Sequence, residues 1–174
     1  MIGGAAHLRR TGFLSEGELA ALPGVPGLDV IRRGRVAVIE CAEAIPCNPC
    51  ETVCPKRAIT IGEPITRLPS LDPSRCTGCG LCIAACPGQA IFVLDYNWSD
   101  SEGTVEMAYE RLPLPSPGEA VVTLDRGGSP VGAGRVVKVR QVQAFDRTAV
   151  VRVAVPKGTV LGVRAFRMRG EGGR

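Results

Sequence analysis

Apolar and polar positions alternate with a period of two through much of the second half of the chain, the pattern of half-buried strands. In TVEMAYERL, Val105, Met107 and Tyr109 share one side of such a strand. Beyond it, EAVVTLDR, AGRVVKVRQVQ, TAVVRVAVP and TVLGVRAF are valine-rich and separated by turn signals such as GGSP and PKG. They predict a small all-β, barrel-like unit. In VVKVRQVQ the alternation changes phase at Arg140–Gln141, which predicts a bulge or bend there. Upstream, VAVIE (36–40), ITI (59–61) and IFVL (91–94) predict three further short strands, and LCIAAC a helical turn. Near the N-terminus, Ser15 followed by Glu18 has the form of a capping box, and Pro23 ends the helix it starts.

These elements predict an α+β protein in three parts: an N-terminal extension (1–35), a central segment (36–103) and a β-rich C-terminal unit (104–174). LPLPSPG (112–118) is a proline-rich linker that ends any element reaching it. The extension is too short for a core of its own, so it is expected to lie on the central segment or on another subunit. Aromatics are 4% of the chain, against 22 glycines and 14 prolines, a composition that suits a loop-rich module stapled by something other than a large core. No apolar run approaches the length of a membrane span. The arginines at 9 and 10 are not followed by an apolar h-region, so no secretory or twin-arginine signal is expected and the location is read as cytoplasmic. His7 is expected to be solvated.

Charge changes this picture. The extension has five basic and three acidic groups (net +2), the central segment four and eight (net −4), and the C-terminal unit twelve and six (net +6). A basic β-unit raises the question of nucleic acid, but its arginines alternate with valines, and only Phe145 and Phe166 are near enough to stack on bases. The arginines are therefore expected on a solvated strand face, with docking onto an acidic partner as the second reading and no nucleic-acid role. Gly132-x-Gly134 precedes no helix and reads as a hairpin turn, not a dinucleotide fingerprint.

The eight cysteines carry the chemistry. Cys76-x2-Cys79-x2-Cys82-x3-Cys86 is followed at once by Pro87, and upstream Cys47-x2-Cys50-x3-Cys54 is followed by Pro55. A shift of 32 residues carries Cys47, Cys50 and Cys54 onto Cys79, Cys82 and Cys86, and Ala58-Ile59 onto Ala90-Ile91. The central segment thus holds an internal duplication. The run matches the bacterial iron–sulfur pattern, in which close cysteines wrap one cubane and the fourth ligates the other. Disulfides need an oxidising compartment. Zinc knuckles are separated by longer loops, and a Rieske centre needs two histidines where this chain has one. Gly78 and Gly80 are read as making room for backbone beside the inorganic sulfides. Ile45, Ile59, Ile83 and Ile91 are expected to shield the clusters.

This segment resembles the bacterial two-cluster ferredoxins, over about a third of the chain. The resemblance implies a ferredoxin-like domain with two 4Fe–4S clusters. Cys54, Cys76, Cys79 and Cys82 would hold one; Cys47, Cys50 and Cys86, with one more ligand, the other. The usual position of that ligand is occupied by Ala44. The expected substitute is Cys41. Alternatives are a free thiol at Cys41 with an incomplete or three-iron cluster, or an oxygen ligand from Glu40 or Glu43. Since all eight cysteines lie between 41 and 86, the clusters are expected to form without residues 112–174.

No catalytic constellation is visible once the thiols are assigned, so the chain is read as a non-catalytic electron-transfer subunit. IECAEAIPCNPCETVCP, with its stretched first gap, is similar to the small ferredoxin-like subunits of FAD-dependent amino-acid dehydrogenases of the proline, hydroxyproline and sarcosine type, related to hydrogen cyanide synthase. That similarity implies FAD-containing partner subunits in a hetero-oligomer and an external electron acceptor. A free cytosolic ferredoxin, or an assembly protein with non-cycling clusters, are the competing classes.

Overall fold

A computed structural model describes residues 6–170; the first five residues of the extension and the last four of the tail lie outside it. The architecture is sheet-rich with few and short helices. Seven antiparallel strands form one sheet in the order β1 (Arg35–Ile39), β4 (Ile91–Asp95), β5 (Glu102–Tyr109), β8 (Ala149–Pro156), β7 (Pro130–Arg140), β6 (Ala120–Leu124), β9 (Ala165–Met168). A separate ribbon pairs β2 (Ile59–Thr60) with β3 (Ser70–Leu71).

The seam expected between residues 103 and 104 falls inside β5, and the sheet crosses it. β5 pairs with β4 on one side and with β8 on the other, over eight residue pairs from Glu102–Pro156 to Tyr109–Ala149. Alternation explains how one sheet serves two structures. Val36, Val38, Phe92, Leu94, Val105, Met107, Tyr109, Val121, Val136, Val151, Val153 and Phe166 face a single apolar core, with every strand of the sheet contributing. The opposite face of β1 and β4 presents Ala37, Ile39, Ile91 and Val93 to Ile59, Ile61, Ile83, Cys50 and Cys82. The cysteine module is therefore mounted on the back of the sheet.

The N-terminal extension lies on that module. Helices α1 (Ala6–Thr11), α2 (Glu16–Ala20) and α3 (Leu28–Ile31) precede β1. The capping box forms as expected: the Ser15 side chain accepts from the Glu18 N–H, and the Glu18 carboxylate accepts from the Ser15 N–H. Leu14, Leu19 and Leu22 bury against Ala42. Ile39 N–H donates to the Gly24 carbonyl (2.9 Å) and Leu71 N–H to that of Pro23 (3.1 Å), which ties the extension to the edge of the module. A Cβ at residue 24 would come within 2.7 Å of Ile39 Cβ and 2.9 Å of two carbonyl oxygens, so only glycine fits. His7 is held rather than free: its ring packs edge-on against Phe13, and Nδ1 lies 3.0 Å from the Phe13 carbonyl.

Two sequence expectations are displaced. The last strand is shorter than TVLGVRAF: Val160 and Val163 reach the core from a turn, and pairing begins at Ala165. The irregularity expected at Arg140–Gln141 lies instead between Val136 and Lys138, where the register against β8 slips from Val136–Val153 to Lys138–Arg152. Val137 is the extra residue. Without that bulge Arg140 would point to the core side; with it, Arg140 shares the face of Arg152.

That face holds Glu106, 1% exposed, opposite Arg152 in the β5–β8 ladder. Its carboxylate accepts from Arg152 Nε (2.5 Å) and Arg140 Nη2 (2.7 Å) and pairs with Arg35. A second carboxylate, Glu40, just past β1, receives Arg126 (Nε 2.8 Å, Nη2 2.6 Å) and the buried Arg164 (Nε 2.6 Å). Arg164 also lies over the Phe92 ring. Four of the tail's arginines are thus not on a solvated face: Arg126 and Arg164 neutralise Glu40 of the central segment, and Arg140 and Arg152 neutralise Glu106 of β5. Together with the continuous sheet, these pairs reverse our expectation for a truncated chain: the clusters should need residues 112–174. Removing those residues strips Glu40 of both partners and Glu106 of two of three.

Glu106→Gln should therefore destabilise the fold by about 2–4 kcal/mol, because it leaves three half-buried guanidinium groups facing one another without their shared carboxylate. Denaturant unfolding followed by far-UV circular dichroism measures this. A chain truncated at residue 111 should fail to accumulate as folded, cluster-bearing protein.

Candidate iron–sulfur site

The two halves of the duplication build the same local structure. Pro49 opens helix α4 (Pro49–Thr52), and Leu81 opens α5 (Leu81–Ala85) at the equivalent place, so Cys50 and Cys82 sit buried on matching first turns. After each helix comes a Cys-Pro-x-x-Ala turn. Arg57 N–H donates to the Cys54 carbonyl (3.0 Å) and Gln89 N–H to that of Cys86 (3.1 Å). Both turn residues have positive φ, 49° at Arg57 and 50° at Gln89, a conformation non-glycine residues rarely adopt. The turn aims the next amide back at sulfur: Ala58 N–H donates to Cys54 Sγ (3.2 Å) and Ala90 N–H to Cys86 Sγ (3.4 Å). The repeated alanines were legible in the sequence; the strained residue before each was not.

The eight thiols divide between two neighbouring cavities. Cys41, Cys47, Cys50 and Cys86 line the first, and Cys54, Cys76, Cys79 and Cys82 the second. Each run therefore sends its last cysteine into the cavity of the other. Cys41 lies in the first cavity, half-buried, while Ala44 is exposed. Glu40 and Glu43 also line that cavity. Glu40 is unsuited as an oxygen ligand, since its oxygens are engaged by Arg126 and Arg164, which hold its carboxyl below the usual range against the opposing effect of burial. Among the described residues no three His, Cys, Asp or Glu side chains converge on a single metal ion. The thiols are instead spread around cavity walls.

Burial dominates thiol electrostatics. It pushes Cys50 up to about 11 and Cys82 up to about 12, and neighbouring sulfurs add to both shifts, Cys86 for Cys50 and Cys76 and Cys79 for Cys82. Cys41 is raised as well, first by burial and then by Cys86 and Cys47. Such thiols hold their protons until an iron–sulfur core displaces them, so loading is coupled to proton release. Amides bonded to sulfur favour the thiolate. Beyond Ala58 and Ala90, Ala37 N–H of β1 lies 3.5 Å from Cys76 Sγ. Four thiols to a cavity fit 4Fe–4S cubanes.

Gly78 and Gly80 have a further reason beyond the one expected. Both have positive φ (62° and 81°). A Cβ on Gly78 would strike Arg35 Cγ at 2.6 Å, and one on Gly80 would strike Arg140 Nη2 at 2.5 Å. Arg140 Nη1 also donates to the Cys79 carbonyl (3.0 Å). The glycines make room for the guanidinium network under the motif. Of the four isoleucines, Ile59, Ile83 and Ile91 are buried in the module as expected, whereas Ile45 is 52% exposed.

Residues 45–90 match the 4Fe–4S dicluster domain family. Over 38 residues the chain is 55% identical to one of the subunits of the Na+-translocating ferredoxin:NAD+ oxidoreductase complex of Acetobacterium woodii, covering 22% of this chain and 11% of that protein. It is 44% identical over 45 residues to an uncharacterized ferredoxin of Methanocaldococcus jannaschii (26% and 28%). It is also 25% identical over 126 residues to the Drosophila melanogaster protein Pixie (64% and 20%). The chain thus spans at most 28% of the length of these relatives. No solved structure matches it. Residues 45–90 are a ferredoxin-like, iron–sulfur electron-transfer module, and the chain carries two 4Fe–4S clusters.

Anaerobically prepared protein should contain close to eight iron and eight sulfide per chain. Cys41→Ala should lose iron or show a three-iron EPR signal, while Cys54→Ala should damage the other centre. An unchanged spectrum with full iron in Cys41→Ala would leave that thiol a spectator.

Proposed function

We propose that this chain is the electron-transfer subunit of an oxidoreductase complex, in which Cys41, Cys47, Cys50 and Cys86 hold one cluster and Cys54, Cys76, Cys79 and Cys82 the other. The observation that carries this is the crossed division of eight thiols between adjacent cavities. Cys50 and Cys82, one from each set, share a single buried apolar core. That core keeps water from the space between the centres. The clusters supply one-electron chemistry, and the protein supplies position, amide donors to sulfur and a low-dielectric surround.

The donor is a FAD-containing dehydrogenase subunit that oxidises an amino acid or amine, and the electrons leave to an external acceptor. The similarity of the first cysteine run to such subunits supports this donor. That one relative is named as a subunit of an oxidoreductase complex supports a place in an assembly. The location in this reading is cytoplasmic, and among the described residues no helix is long and apolar enough to cross a membrane. The three-part organisation acts as one rigid carrier, with the extension and tail packed against the central module.

Native protein should co-purify with at least one FAD-containing subunit, and amino-acid substrate should reduce first the flavin and then the clusters. Cys79→Ala should leave flavin reduction intact and abolish onward transfer, read by flavin absorbance and cluster EPR in one sample. Isolation as a lone monomer that no flavoprotein reduces would favour a free ferredoxin; clusters that do not cycle would favour an assembly role.

A further inference from the structure

The clusters differ in what surrounds their exposed edge. Cys79 is the one exposed cysteine among the eight, and it lines the second cavity. Pro55 and Lys56 line that cavity too, and they also line a shallow open depression on the surface, together with Arg57, Ser74 and Arg75. The chain explains the convergence. Lys56 and Arg57 follow Cys54-Pro55, and Arg75 precedes Cys76, so three cations flank two cysteines of the same set. All three are exposed. No carboxylate lines the depression. Asp72, which precedes this stretch, accepts from the Ser74 N–H (3.0 Å) and hydroxyl (2.6 Å) and also faces Arg75. This patch is basic within a segment whose net charge is −4.

We infer that the Lys56–Arg57–Arg75 face is where an acidic electron-transfer protein docks, placing the second cluster at the point of electron exchange with that partner. The inference rests on the carrier reading above and adds which edge is used and the charge of what it meets. Exposed cations beside an exposed thiolate edge steer an acidic surface toward the shortest path for the electron, and the steering weakens with salt. During transfer the reduced cluster loses one electron and the acceptor gains it; no bond forms or breaks.

The test uses the full-length, cluster-loaded protein, reduced with dithionite, with two acceptors of opposite charge: flavodoxin, which is acidic, and cytochrome c, which is basic. K56E/R75E is compared with R10E/R169E, which changes net charge equally but lies on α1, beside the first cavity, and beyond β9 at the far end of the sheet. Iron content and EPR establish that both variants keep their clusters. At low ionic strength K56E/R75E should slow electron transfer to flavodoxin by roughly tenfold or more and speed transfer to cytochrome c. Calorimetric binding of flavodoxin to the oxidised protein should weaken in parallel, and the salt dependence seen in the wild-type rate should flatten in K56E/R75E. R10E/R169E should change neither rate appreciably. Equal loss in both variants would reduce the effect to net charge and overturn the docking face, as would wild-type rates in K56E/R75E. Clusters that fail to reduce and reoxidise reversibly would sink the carrier reading itself, a result visible before any acceptor is added.

Discussion

A single carboxylate, Glu106, holds the sheet and the cysteine module together. It is buried on β5, on the face away from the apolar core, and accepts from arginines of three strands: Arg35 of β1, Arg140 of β7 and Arg152 of β8. A charge so buried is tolerated only when it is paired and its lone pairs are filled. Two of the arginines then do a second task. The Arg35 stem packs against Gly78, and Arg140 bonds the Cys79 carbonyl. The conformation of the second cysteine motif is thus fixed from beneath by groups up to 61 residues away in sequence. The bulge at Val137 is part of the same arrangement, since it turns Arg140 to the module side.

Glu40 plays the corresponding part at the sheet's other boundary. It follows the edge strand β1, while Arg164 immediately precedes the opposite edge strand β9. The two ends of the sheet are thereby linked through a buried ion pair rather than through backbone bonds. This link forms part of the wall of the first cavity. Electrostatics and topology are coupled: Glu40 and Glu102 of the central segment pair with Arg126, Arg164 and Arg135 of the C-terminal part.

Around the thiols, rigidity is local and comes from strain that the rest of the structure supports. The positive-φ residues Arg57 and Gln89 recur at the same place in both halves, each bringing an alanine amide to a sulfur. Hydrogen bonds to sulfur and exclusion of water are the means by which a protein tunes a cluster. Here the two sites differ in both. Cys76 has an additional donor from β1, and Cys79 is exposed where every cysteine of the other cavity is at least half covered. The asymmetry gives the two centres distinct environments despite their common origin.

The sequence by itself determined the chemistry and most of the local structure. The spacing marks the iron–sulfur motif and its duplication, the resemblance to two-cluster ferredoxins implies two crossed sets of thiols, and the cavities group the cysteines in the same way. The capping box at Ser15 and most strands were legible for the same reason: period-two patterning and turn residues act over a few positions. Only the tertiary structure decided how the parts join. Arginines alternating with valines look solvated until the partner carboxylates are placed, and Glu40 and Glu106 lie 46–124 residues from most of theirs. The strand crossing residues 103 and 104 shows pattern but not partner, so the sequence marks a boundary where the ladder continues. The bulge escaped for a related reason. Val136 and Val137 are both apolar, and nothing local says which of them faces the core; pairing with Val153 settles it.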